Sequence, residues 1–173
     1  MAIIAVLAAV LTPLVAQYVD EARSVRALQE VKMIAQAIAL HQRDTGKYPI
    51  YASAASGTTD ADVLFGPGVG PTFNGTGWSS PASISLQTRL NSNYFSFPTT
   101  YGTGRVGYHG PYTVDLPSDP WGYTYVAEIG PAPETAAAAF VISAGPDGVI
   151  STNKQQSPGS FVVAGDDIVV RVK

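Results

Sequence analysis

The sequence predicts an α+β protein in which a long N-terminal α-helical spine packs on a small antiparallel β-sheet head. Helical spacing holds from Met1 to Gly46. Short strand patterns gather after Tyr123. A stretch rich in Gly, Ser, Thr, Asn and Pro separates the two. The boundaries fall at 1–16 for an apolar segment, 17–46 for the amphipathic part of the helix, 47–111 for the glycine-rich region and 112–173 for the head.

Met1 to Ala16 carries no charge. At the helical rise it covers about 24 Å, somewhat less than a ~30 Å bilayer core. A cleaved secretory signal needs a basic region before its apolar run and a small-residue cleavage site after it. Here Met1 opens directly on Ala2-Ile3-Ile4, and Gln17-Tyr18-Val19-Asp20 continues the helical pattern. The segment is therefore expected to stay in the mature protein. Pro13 removes a backbone donor, so a kink or a locally melted turn is expected there.

From Val19 to Leu40, Val19, Ala22, Val25, Leu28, Val31, Ile34 with Ala35, and Ile38 recur three or four apart. Glu21, Arg23, Glu30, Lys32, Gln36 and Arg43 take the other faces. That pattern is one apolar stripe in need of a partner surface. The helix is expected to stop at Arg43-Asp44-Thr45-Gly46, where glycine takes the left-handed cap and Pro49 blocks resumption. Unbroken from Met1, such a helix is about 69 Å long.

With 173 residues, the part beyond the helix suffices for one modest core. A net charge of -3 with ten Lys plus Arg gives no basic patch, so no nucleic-acid partner is implied. Cysteine is absent, which excludes disulfides and thiolate metal sites.

Tyr51 to Gly110 reads as a long surface excursion shaped by turns, with a short helix at Ile84 to Leu90. Its aromatics Tyr94, Phe95, Phe97, Tyr101 and Tyr108 either pin this segment to the head or form a platform for sugars or subunits. Asn74-Gly75-Thr76 fits a glycosylation acceptor, but three residues often meet the pattern by chance and nothing in the sequence points to a eukaryotic secretory route. Strands are expected at Tyr123 to Ile129, Ala137 to Ser143, Ser160 to Ala164 and Ile168 to Val172. Asp119-Pro120-Trp121-Gly122 supplies a tight turn before the first, with proline second and glycine fourth.

No catalytic constellation emerges. His41 and His109 with Asp115 or Asp119 resemble base and partner. No cysteine, Gly-x-Ser-x-Gly elbow or His-Glu-x-x-His pair accompanies them. The expectation is a protein that is not an enzyme.

Four blocks, in order, carry a family resemblance: the apolar run Ala2 to Ala9 with Pro13; Thr45-Gly46-Lys47-Tyr48-Pro49; Pro117-Ser118-Asp119-Pro120-Trp121-Gly122; and Ser143-Ala144-Gly145-Pro146-Asp147-Gly148 with Gly165-Asp166-Asp167-Ile168. Together they resemble the major pseudopilin of type II secretion systems and its type IV pilin relatives. The resemblance implies a pilin-like fold and a subunit held in the bacterial inner membrane by a single span, with a periplasmic head. It implies a homo-oligomeric helical filament, built with an inner-membrane assembly platform and minor pseudopilins or pilins to support protein export. In the family the processed, methylated N-terminus carries an aromatic followed closely by a glutamate; this sequence matches the family from about ten residues downstream of that point and shows neither.

In such a filament, the small residues Ala2, Ala5, Ala8 and Ala9, with Pro13, are the expected core-packing positions. Glu21, Arg23, Arg26 and Glu30 either pair between copies and set the stagger or remain solvated surface charges. The resemblance also carries a calcium ion to Asp147, Asp166 and Asp167, with carbonyls near Ser143 and with Ser151, Thr152 and Asn153 as further donors. The other reading of these aspartates is a turn and a strand cap. Because 149–165 is longer than the family's loop, the acidic clusters face a harder convergence.

Two alternatives stand beside the pseudopilin. One is a type IV pilin of a long extracellular filament serving adhesion, motility or DNA uptake. The other is a membrane-anchored β-rich module that binds glycan or protein. A tethered module calls for a flexible linker between anchor and head. The unbroken helical spacing from Val15 to Leu40 argues for a rigid spine instead.

Overall fold

A computed structural model describes residues 2–46, 48–49, 63–78, 85–91, 110–129 and 138–172, with the side chains of the first helix described from Thr12 onward. The architecture is α+β. Helix α1 runs Ala2–Thr45 without interruption, Pro13 included, and spans about 66 Å. It ends as its sequence dictates: Gly46 takes φ +69° and its N–H donates to the Gln42 carbonyl at 2.7 Å. Thr45 returns its hydroxyl to the His41 carbonyl at 2.6 Å.

The main sheet is antiparallel and contains β1 (Val63–Phe65), β3 (Val126–Glu128), β4 (Phe140–Ser143) and β6 (Ile168–Arg171) in the order β1-β3-β4-β6. A separate parallel pair joins β2 (Thr72–Phe73) to β5 (Val149–Ile150). Helix α2 covers Leu86–Asn91.

Alternation along the strands divides the side chains between two layers. Leu64, Ala127, Val141, Val170 and Val172 join Val31, Ile34, Ala35 and Ile38 of α1 and Leu86 and Leu90 of α2. On the opposite face, Val63, Phe65, Val126, Phe140, Ile142 and Val169 pack with Phe73, Trp78, Ile150 and Phe161. Each fully buried aliphatic side chain contributes roughly 1.5–3 kcal/mol of transfer free energy. The sheet is thus covered on both sides, and only one cover is the spine.

Three expectations change. The stripe on α1 is buried only from Ala27 onward; Val19, Ala22 and Val25 are exposed, because the sheet ends before it reaches them. Ser160–Ala164 is not a strand: Pro158–Ser160 forms a 3₁₀ turn and Phe161 goes into the second layer. The region 47–111 is more than a surface excursion, since it supplies β1, β2 and α2 and buries Leu64, Leu86 and Leu90 completely. Tyr94, Phe95, Phe97, Tyr101, Tyr108 and His109 lie outside the described residues.

Candidate functional site

Two places bear on function. The first is the lower half of α1. Leu14, Val15, Tyr18, Val19 and Val25 all face outward, Val15 at 56% and Tyr18 at 64% exposure. The head leaves this stretch of α1 uncovered. Pro13 is exposed on the same stretch. Ala2, Ala5, Ala8 and Ala9 lie on the helical backbone, and their side chains are outside the described residues. Among the described residues no helix is long and apolar enough to cross a membrane.

Three of the four expected inter-copy charges, Arg23, Arg26 and Glu30, have partners within the chain. Arg23 lies 3.6 Å from Asp20, both exposed. Arg26 donates to Glu30 Oε1 at 2.8 Å, one helical turn on. Glu30 Oε2 accepts the Tyr125 hydroxyl from the head. Hydrogen bonding to Glu30, followed by its negative charge, pushes the Arg26 guanidinium above its ordinary range. Glu21 is exposed. Glu30 therefore anchors spine to head, a role that spacing on one helix cannot reveal.

The second place is where the C-terminal turns converge. Gly145-Pro146-Asp147-Gly148 turns between β4 and β5, and Gly165-Asp166 turns before β6. The long intervening segment does not keep them apart: Asp147 N–H donates to Asp166 Oδ2 at 3.3 Å. Gly148 sits at φ +70°, and a Cβ there would lie 2.2 Å from the Tyr123 ring, so only glycine lets these turns close.

Each carboxylate has backbone work. Asp147 Oδ1 accepts the Val149 N–H at 2.7 Å, an Asx turn. Asp167 Oδ2 accepts the N–H groups of Ser151 at 2.9 Å and Thr152 at 2.7 Å. Asp167 is only 8% exposed, and its Oδ1 has no hydrogen-bond partner among the described residues. Burial raises its pKa above the ordinary carboxylate range against the lowering effect of the Thr152 and Ser151 bonds. Among the described residues no three His, Cys, Asp or Glu side chains stand close enough together to hold a metal ion.

The turn Asp119-Pro120-Trp121-Gly122 forms as expected, with Gly122 N–H donating to the Asp119 carbonyl at 2.9 Å. Buried Asp119 accepts the Trp121 and Tyr123 N–H groups on one oxygen and the Ser143 hydroxyl on the other. These bonds give Asp119 a structural task. His41 is buried near the end of α1, edge-on to Tyr112 with ring centroids 5.5 Å apart. The sequence reading missed the ion pair of Lys154 and Glu128, 3.9 Å apart with both side chains buried. Its only signal was a glutamate in an otherwise apolar strand.

Compared with family models, with curated proteins and with solved structures, the chain finds no match.

Proposed function

We propose that this chain is a structural subunit of a helical pseudopilus, stored in the bacterial inner membrane and assembled through its N-terminal helix to support protein export. The observation that carries the reading is the division of α1. Its upper half is buried by its own head from Ala27 onward, while its lower half continues rigidly with Leu14, Val15, Tyr18 and Val19 exposed. A plain tether gains nothing from a stiff helix rooted in the head. A filament subunit needs one, because its apolar rod must hold a fixed orientation against copies of itself. In this reading the spine and sheet make a pilin-like fold, Ala2, Ala5, Ala8 and Ala9 permit close helix approach, and an inner-membrane platform with minor pseudopilins directs assembly.

The same reading brings calcium to the C-terminal turns. The buried Asp167 Oδ1, without a hydrogen-bond partner among the described residues, fits a cation, and Asp147 and Asp166 stand on the adjoining turns. Bound there, calcium would clamp the two turns with oxygen ligands; Asp147, Asp166 and Asp167 would have to draw closer together than they stand here to hold it.

Electron microscopy of sheared or overproduced assemblies, labelled with an antibody to the head, tests the reading. Fibres containing this chain are expected, and Ala5→Leu or Ala9→Leu should reduce them while the head stays folded. Normal fibres in both variants would count against close packing of the helices.

A further inference from the structure

We infer that Asn74 is an acceptor for an N-linked glycan on the outer face of the head. Asn74-Gly75-Thr76 follows β2 on an exposed turn, with no proline at the middle position. The fold alone accounts for Gly75: a Cβ there would lie 2.2 Å from the Thr152 carbonyl oxygen. It also accounts for the backbone. The N–H groups of Asn74 and Gly75 donate to the Ile150 carbonyl at 2.9 and 3.0 Å, and Thr76 N–H donates to Asn153 Oδ1 at 2.8 Å.

The fold gives no task to the two side chains that a glycosyl acceptor requires. Asn74 and Thr76 are exposed, and neither the Asn74 amide nor the Thr76 hydroxyl has a hydrogen bond among the described residues. Other turn residues in this chain behave differently. Asp119 and Asp147 each accept the N–H two residues on, as side chains chosen for a turn do. The Thr45 and Thr113 hydroxyls are likewise bonded.

The position suits a bulky group. Phe73 and Trp78, which flank the turn, pack on the sheet face opposite α1. A glycan on Asn74 would project away from the spine. The donor class is a lipid-linked pyrophosphoryl oligosaccharide handled by a transferase outside the cytoplasm. The Asn74 Nδ2–C1 bond forms as the sugar C1–O bond to pyrophosphate breaks; the lipid pyrophosphate leaves, and the amide proton passes to a base of the transferase. The compartment rests on the proposed function, which places the head outside the cytoplasm.

Intact-mass and peptide mapping of the full chain from its native cells tests this, alongside photocrosslinking between copies at position 18 in the same preparation. The expected result is an oligosaccharide mass on the Asn74 peptide, lost in N74Q and T76A, kept in T76S, with an unchanged melting temperature of the unmodified head. An unmodified Asn74 peptide overturns the inference; if crosslinks between copies are still present, the filament reading survives it. A glycosylated but strictly monomeric chain overturns the filament reading and leaves the acceptor standing.

Discussion

Tyr125, beside strand β3, donates its hydroxyl to Glu30 Oε2 on the spine at 2.5 Å, a bond between residues 95 positions apart. Together with the Tyr112 hydroxyl, which donates to Asp44 Oδ2 at 3.1 Å nearer the end of α1, it fixes the rotation of the helix against the head. Burial first, and the Glu30 carboxylate second, hold the Tyr125 hydroxyl protonated well above the usual range. Tyr125→Phe is expected to lower stability by about 1–2 kcal/mol near neutral pH, measured by denaturant titration.

The same bond sets an alkaline limit. Above the unfolded pKa of about 10, unfolded Tyr125 loses its proton while folded Tyr125 keeps it, so stability falls as pH rises beyond that value. Thermal melts between pH 9 and 11 should show this slope in the wild type and a shallower one in Tyr125→Phe. Equal slopes would mean that other groups govern the alkaline loss.

The two halves of α1 should respond oppositely to mutation. Ile34→Ala and Ile38→Ala remove fully buried side chains and should each cost about 2–5 kcal/mol in head stability. Val15→Ser and Val19→Ser alter exposed positions and should stay within about 0.5 kcal/mol. Their effect should appear in a fibre-yield assay instead.

Lys154 and Glu128 make a buried pair, so removing one charge is worse than removing both. Lys154→Met or Glu128→Leu alone should cost about 3–5 kcal/mol, and the double variant should recover much of that loss. Urea titrations of the three variants would check the cycle; additive losses would deny the coupling.

If calcium binds the C-terminal turns as proposed, the melting temperature should depend on the free ion. At a hundred times the dissociation constant the gain is about 2.7 kcal/mol, lost on adding chelator. Asp147→Ala should flatten that response. Asp167→Asn keeps an oxygen for the Ser151 and Thr152 N–H groups yet drops the buried charge, so it should fold normally and respond weakly to calcium. A wild-type head indifferent to chelator would remove the metal.

Much of the fold was legible because it obeys local rules. Gly46 as the helix stop, the Asp119 to Gly122 turn and the alternation of Val169 against Val170 and Val172 each follow from backbone chemistry or period. Strands β1 and β2 were not legible, since three and two residues amid glycine and proline show no period. The end of burial at Ala27 is equally invisible, because an apolar stripe does not declare whether its own head or another molecule covers it. For the candidate site, Asp147, Asp166 and Asp167 came only from the resemblance, since the turn residues by themselves point equally to a turn and a strand cap. Their convergence, and the orphaned Asp167 Oδ1, depend on how 149–165 folds back.

The most direct measurement is site-specific photocrosslinking from a benzoylphenylalanine at position 18, where Tyr18 is exposed on the lower spine. Irradiation of intact membranes and sheared surface material should yield covalent multimers of this chain, with the crosslinked peptide mapping to α1 of a neighbouring copy. Adducts to lipid alone, with no second copy captured in either material, would contradict the claim that this rod is built to pack against its own kind.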